Sequence, residues 1–498
     1  MANLKSLAKD TVIYGLTGMV GRFLNYLLVP LYTAKISAAS GGYGIITNIY
    51  SYVALIIIIL TFGMETTFFR FSNKDDENPK DVISTSLIAV TGVSAIFVLL
   101  VFLTLPWLAP AMGYADHPSY ISVMAIVVSL DAVQSILYAY LRYKHKPIKF
   151  ATLKFAFIIL NILLNLAYFL WLPELYKSYP NVIGKIYDPT IGVGYAFYLN
   201  LVCTGLVTLL FWKELTGIKY KIDWALLKRM LSYTWPLLLL GIVGILNQTA
   251  DKILYPIIDP TPNGRVQLGI YGAACKIAMI MAIITNAFRW AYEPFVFGKS
   301  RDKDNREAYA AAMKYFIIFT CLAFLMVMAW IDLLKYIIGR DYWDGLKVVP
   351  IVMAAEIMMG IYFNLSFWYK LTDKTIWGAI FSFIGCAVLV AINFIFVPKF
   401  GYMACAWGGF AGYGISMVLC YVIGRKYYPI DYPLKNIAIY VLLTAAIFAA
   451  YMMVDFGSNW ANISFRTLLL LVFFAVLLKM EHLEPMLKKL PVVGKFIK

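Results

Sequence analysis

Ionisable side chains inside apolar runs are the residues of this chain whose type and spacing could do chemistry. Arg22 stands near the middle of a run, 11–33, that is long enough to cross a bilayer. A cation at that depth costs about 3 kcal/mol on insertion scales, so it is kept where it faces a wet cavity or a counter-charge. Gly15, Gly18, Arg22 and Asn25 fall within an arc of roughly 80° on a helix, which makes one face small at one end and polar at the centre. The same layout returns 226 residues later as Gly241, Gly244, Gln248 and Asp251, with Pro256 in the place of Pro30.

Other apolar runs carry further ionisable groups. Asp251 is followed by Lys252, and Lys276 lies in the next run. Arg289 and Glu293 are one helical turn apart, with Asn286 on the same face. Glu65, Asp131 and Glu356 are single carboxylates in three more runs. Positive groups in a membrane cavity suit an anionic cargo, phosphate or pyrophosphate above all, because Arg offers forked hydrogen bonds and Lys a point charge. The substrate-binding candidates are therefore Arg22, Asn25, Asp251, Lys252, Lys276 and Arg289. Glu65, Asp131, Glu293 and Glu356 are the coupling or gating candidates.

Most of these residues also have a structural reading. Arg289–Glu293 reads first as an ion pair within one helix. Glu65 can pair with Arg70 or another nearby base, and Asp251–Lys252 can be a pair between two halves of the protein. Asp131 and Glu356 read as protonated or hydrogen-bonded packing residues. Arg22 and Lys276 have no acidic residue within a turn of their own helices, and for them ligand contact is the preferred reading.

The elements that must hold these residues follow from composition. Of the 498 residues 62% are hydrophobic and only 14% charged, the profile of a polytopic membrane protein. Fourteen apolar segments reach spanning length, at roughly 11–33, 46–69, 82–104, 119–141, 150–171, 190–212, 232–255, 268–292, 309–331, 347–369, 375–396, 402–424, 436–454 and 460–478. They predict an all-α membrane fold, since spanning strands would be shorter and alternating. With the N-terminus in the cytoplasm, the inner loops and ends carry 28 Lys and Arg and the outer loops 8. That asymmetry supports the span count and the orientation together, with both termini cytoplasmic. It also explains most of the net charge of +16, which is therefore a topology signal and not a footprint for nucleic acid.

The repeat extends beyond the opening helix. Tyr43-Gly44 and Tyr271-Gly272, Glu65 and Glu293, Lys146 and Lys374, and Asn165 and Asn393 are each 228 residues apart. Six spans separate the copies, so both point the same way across the membrane, about a pseudo-two-fold axis along its normal. The expected organisation is a six-helix lobe at 1–212, a linker with an interfacial helix at 213–231 and a second six-helix lobe at 232–424. Two additional spans follow at 425–479, and a basic cytoplasmic tail at 480–498. In the linker Asp223 can cap a short helix with Trp224, Leu227 and Leu231 on one side and Lys228 and Arg229 on the other.

Enzyme signatures are nearly absent. Asp302-Lys303-Asp304 has the spacing of metal-dependent glycosyltransferases, but it falls in a short, charged inner loop with no domain to hold a nucleotide sugar. The outer loops are also short, the longest at about 173–189. The six cysteines (Cys203, Cys275, Cys321, Cys386, Cys405, Cys420) lie in apolar runs without pairing or ligand spacing and read as packing residues. His117, His145 and His482 do not cluster, so no metal site is expected. Lys5 and Lys9 precede a run too long for a signal-peptide core, so the first span is expected to be retained.

Three segments add a family resemblance. Tyr233-Thr234-Trp235-Pro236-Leu237-Leu238, Asp251-Lys252-Ile253-Leu254 and Gly269-Ile270-Tyr271-Gly272-Ala273-Ala274-Cys275-Lys276 resemble the second-lobe signature of Wzx-type polysaccharide-export flippases. Those belong to the multidrug/oligosaccharidyl-lipid/polysaccharide exporter superfamily. The resemblance covers the whole chain and implies a V-shaped cavity lined by spans one, two, seven and eight. Arg22, Asp251, Lys252 and Lys276 fall on those helices. It further implies transfer of a lipid-linked oligosaccharide, usually on undecaprenyl pyrophosphate, across the bacterial inner membrane by alternating access. No cofactor is implied; H+ or Na+ coupling is left open. The expected partners are the lipid-linked oligosaccharide, membrane lipids and polysaccharide polymerase or glycosyltransferase machinery. Rival readings are a lipid II flippase and a cation-coupled multidrug exporter. Lipid II flippases typically carry additional arginines inside span two, where this chain has Glu65, and the drug exporters usually have twelve spans. A membrane glycan polymerase is disfavoured by the short outer loops.

Overall fold

A computed structural model describes residues 26–74, 76–299 and 305–481. Arg22, Asn25, the Asp302-Lys303-Asp304 motif, His482 and the basic tail lie outside the described residues. The fold is all-helical, because lipid offers the backbone no partner and each segment must satisfy its own N–H and C=O groups.

Thirteen helices among the described residues are long and apolar enough to cross a membrane. They are span two (Gly42–Ser72), three (Pro79–Ala111), four (Pro118–Tyr143), five (Pro147–Ser178), six (Pro189–Leu210), seven (Trp224–Ile258) and eight (Pro262–Glu293). Spans nine to twelve follow at Asn305–Ala329, Arg340–Leu371, Ile376–Phe400 and Tyr402–Tyr427, and spans thirteen and fourteen at Leu434–Met453 and Asn459–Met480. The described end of span one is the helix Leu28–Lys35. This is a multi-pass membrane protein. Each span has a basic-rich end, the one beside a loop carrying the Lys and Arg excess, and a basic-poor end opposite.

Local chemistry sets where the helices start. Spans three, four and five each begin on a proline, whose missing N–H costs nothing in a first turn. Asn78 caps span three by accepting from the Lys80 N–H at 3.1 Å. Asp223 caps span seven by accepting from Leu226 N–H at 2.9 Å. The capped helix is not a short separate one: it continues unbroken to Ile258. Leu226, Leu227 and Met230 are buried along its first turns, while Trp224 stays exposed. The preceding strand of linker is tied to span three, since Ser84 Oγ accepts from Lys221 N–H at 2.7 Å and donates to its carbonyl at 2.8 Å.

The chain divides into two compact units, the described residues of Met1–Ala273 with Cys386–Gly408 and those of Ala274–Gly385 with Gly409–Lys498. In the first, Phe68, Leu87, Ile136, Leu137, Phe211 and Met230 belong to one buried cluster at the basic-rich half of spans two to seven. In the second, Tyr292, Val296, Tyr309 and Phe367 form a smaller one. All six cysteines are buried.

Candidate functional site

At the basic-poor end of the first unit, spans two and eight cross with their backbones nearly touching. A Cβ on Gly44 would sit 2.0 Å from the Arg265 carbonyl oxygen, and one on Gly272 would sit 2.3 Å from the Thr47 hydroxyl. The repeat-matched pairs Tyr43-Gly44 and Tyr271-Gly272 thus meet at a single crossing, with both tyrosines buried.

A polar cluster closes around that crossing. The Tyr271 hydroxyl donates to Asp251 at 2.6 Å, and the Lys252 ammonium is 3.0 Å from both oxygens of the same carboxylate. Asn48 donates to the Lys252 carbonyl at 2.8 Å and accepts from the Tyr114 hydroxyl at 2.7 Å. Arg265 donates to the Gly113 carbonyl and lies over the Tyr114 ring. Asp251 and Lys252 therefore neutralise one another, with side chains 7% and 19% exposed. In this arrangement their charges serve each other; a ligand would have to compete for them.

The basic-rich ends carry a second arrangement. Span two breaks at Phe62-Gly63, where φ reaches +36° and +72°, and resumes as the helix Met64–Ser72 with Glu65 in its first turn. Glu65 pairs with Arg142 at the end of span four. Arg70, the base nearest in sequence, lies instead over the Tyr233 ring at 4.0 Å. In the second unit Glu293 pairs with Lys370 at 3.5 Å. These are one ion pair made twice: Lys370 follows Arg142 by the same 228 residues that separate Glu293 from Glu65.

Glu293 is thus engaged across helices and not by Arg289. The order along the helix explains this, since a base N-terminal to its acid is the weaker arrangement of such pairs. The Arg289 guanidinium lies over the Phe363 ring at 4.7 Å. Among the described residues no carboxylate forms an ion pair with it. Lys276 and Glu356 are each partly buried in the second unit.

Asp131 sits at mid-depth in span four, with the Thr204 hydroxyl of span six 3.5 Å from its Oδ1. Lys154 of span five lies within Coulombic reach of Asp131, Glu65 and Arg142, and its ammonium is 3.9 Å from the centre of the Tyr138 ring. Sequence reading alone does not single out Lys154 or Arg142. The signals exist: the loop tally of bases leaves Lys154 inside a span, and Arg142 shares the repeat offset with Lys370.

The same tally leaves Lys314 and Arg466 inside spans, and both anchor the last two helices. Lys314 of span nine is 2.5 Å from Glu481, which also accepts from the Tyr440 hydroxyl at 2.7 Å. Arg466 of span fourteen is 2.9 Å from Asp332, which Lys335 contacts at the same distance. Burial pushes the Glu481 carboxyl up, but the Lys314 ammonium and Tyr440 hydroxyl pull it further down, so it lies below the usual carboxylate range. Among the described residues no group of three or more His, Cys, Asp or Glu side chains is placed to hold a metal ion.

A family model described as "Polysaccharide biosynthesis protein" matches residues 7–294, which takes in spans two to eight. No curated protein matches the sequence. Among solved structures, one described as "Lipid II flippase MurJ, inward closed conformation" superposes with a TM-score of 0.70 at 15% identity, covering 94% of this chain and 99% of that one. An inward-facing multidrug resistance MATE family transporter of the MOP superfamily gives 0.63 at 15% identity, over 84% of this chain and 97% of its own. A MATE structure in a bent conformation gives 0.53 at 16% identity, over 89% and 97%. At these identities the likeness shows the fold. The described neighbours are a flippase and transporters, not enzymes.

Proposed function

The chain belongs to the polysaccharide biosynthesis protein family, and from that premise we propose that it is a flippase for a lipid-linked saccharide. It moves its cargo, an oligosaccharide on undecaprenyl pyrophosphate, from the cytoplasmic to the outer leaflet of the bacterial inner membrane by alternating access. The product feeds a capsule, O-antigen or similar surface glycan through polymerase or glycosyltransferase machinery. Both termini lie in the cytoplasm on this reading, which the distribution of Lys and Arg supports.

The observation that carries this reading is the family match over residues 7–294 of a chain with thirteen described spans. Two arginines support it. Arg22 lies near the middle of an apolar run, and Arg289 has an aromatic ring but no described carboxylate against its guanidinium. Each can give forked hydrogen bonds to a diphosphate while the sugar crosses in water and the lipid tail stays in the bilayer. The likeness to a lipid II flippase and to MATE transporters concerns the fold and does not by itself favour their cargoes.

The test is to delete the protein and profile lipid-linked saccharides, surface glycan and drug tolerance together. The expected result is accumulation of a lipid-linked intermediate and loss of surface glycan, with drug tolerance unchanged. Intact surface glycan with new drug sensitivity would overturn the reading in favour of a small-molecule exporter.

A further inference from the structure

The chain makes one kind of turn twice. Ile222-Asp223-Trp224 stands in front of span seven and Ile430-Asp431-Tyr432 in front of span thirteen, each with a lysine just beyond, Lys228 and Lys435. The isoleucines serve alike: Ile222 packs on the buried cluster of the first unit and Ile430 on that of the second. The aromatic residues part company. Tyr432 is half-buried beside the Tyr421 ring, and the Tyr428 hydroxyl before it donates to Asn305 at 3.3 Å. Trp224 is 71% exposed, and Trp212 at the other end of the same stretch is 65% exposed. The second turn shows that such a turn forms with its aromatic residue packed inside, so folding does not explain the outward indoles.

Charge is sorted the same way. The only two carboxylates of 212–229 are committed within the protein. Glu214 is buried against Lys149 at 2.5 Å, and Asp223 caps span seven. Arg229 is in turn 2.7 Å from Glu77. Lys213, Lys219, Lys221 and Lys228 are exposed, and among the described residues no carboxylate forms an ion pair with them. The backbone beneath is fixed: beside the two bonds between Ser84 and Lys221, the Asp223 N–H donates to the Thr85 hydroxyl at 3.3 Å. The Tyr220 hydroxyl donates to the Leu215 carbonyl at 2.9 Å and leaves its ring exposed. Exposed apolar side chains flank the stretch, Leu209 and Leu210 before Trp212 and, on the Trp224–Lys228 face of span seven, Leu231 and Trp235. With 35 residues span seven is about 52 Å long, against a hydrocarbon core of about 30 Å, so it has turns to spare for the headgroup layer.

We propose that 212–228 is a docking surface for anionic phospholipid headgroups of the leaflet at the basic-rich ends. The four lysines supply the charge, and Trp212, Tyr220 and Trp224 sit among the headgroups, where amphipathic rings are at home. A zwitterionic headgroup has no net charge to offer the lysines. Phosphatidylglycerol is therefore bound in preference to phosphatidylcholine, each lysine strengthening the preference by about fivefold at low salt. The inference goes beyond the flippase reading, since it concerns the bilayer and no cargo.

The test is hydrogen–deuterium exchange of the full chain in lipid nanodiscs, read at 217–223, which lies outside any helix. Exchange there should be about fivefold or more slower in discs containing phosphatidylglycerol than in phosphatidylcholine alone. Salt at about 0.5 M should remove the difference. The second turn, 428–433, should change less. The variant Lys213→Gln/Lys219→Gln/Lys221→Gln/Lys228→Gln should lose the slowing at an unchanged melting temperature. Should it melt early, Trp212→Gln/Trp224→Gln leaves every charge in place and should weaken the slowing. Equal exchange in the two lipids, or slowing that survives in both variants, would overturn the proposal. So would equal slowing at 428–433, which marks a general effect of a charged bilayer, or the same slowing from inorganic phosphate in phosphatidylcholine discs, which marks a site for free anions.

Discussion

Each ion pair at a span end draws its strength from how much water surrounds it. Glu65–Arg142, with side chains 45% and 32% exposed, is screened and worth at most about 1 kcal/mol. Lys314–Glu481 is drier, with side chains 17% and 6% exposed, and it holds the end of span fourteen to span nine. Because the folded protein keeps the Glu481 carboxyl below its usual range, the stabilisation is present above that range and is lost as pH falls through the lowered value. Proteolysis near residue 481 should therefore increase on acidification below about pH 4, and Lys314→Met should show the same increase already at neutral pH. Equal cleavage of the variant and the wild type at neutral pH would show that the pair does not dock the helix. Lys314 and Glu481 are 167 residues apart, so no local spacing marks them as partners. Arg289 and Glu293 teach the opposite lesson: adjacent in sequence, they are engaged elsewhere.

At the scale of elements, the apolar runs mark the spans because run length and bilayer thickness are directly related. Two features were not legible in them. Hydropathy does not record φ, so nothing in the run 46–69 announces the break at Phe62-Gly63 that sets Glu65 in a new first turn. Span seven starts at Trp224 and not at 232, because burial of Leu226, Leu227 and Met230 extends the helix from its Asp223 cap. The glycines of the repeat were visible as a pattern, but their meeting at one crossing needed coordinates. Gly44→Val should force spans two and eight apart, since even its Cβ would overlap the Arg265 carbonyl. A fall in melting temperature equivalent to about 1–3 kcal/mol is expected in purified protein, and an unchanged melt would mean the helices separate freely.

For the whole molecule, the 228-residue offset explains what the halves share and exposes what they do not. The shared ion pairs at Glu65 and Glu293 belong to the architecture. Asp131 and Lys154 belong to the first copy, where the second has Met359 and Ser382 at the same offset. Within the candidate set, Arg22 stands out from the apolar pattern around it but lies outside the described residues. The closed Asp251–Lys252–Tyr271 cluster was not legible, because its third member comes from another helix.

The most direct test of the central claim is transbilayer movement of a fluorescent undecaprenyl-pyrophosphate saccharide in vesicles containing the full chain. Wild type should equilibrate the label between leaflets, while Arg22→Ala and Arg289→Ala should each slow it by about tenfold or more, the equivalent of one lost charge-assisted hydrogen bond. Movement in both variants at the wild-type rate, or none in the wild type, would contradict the account.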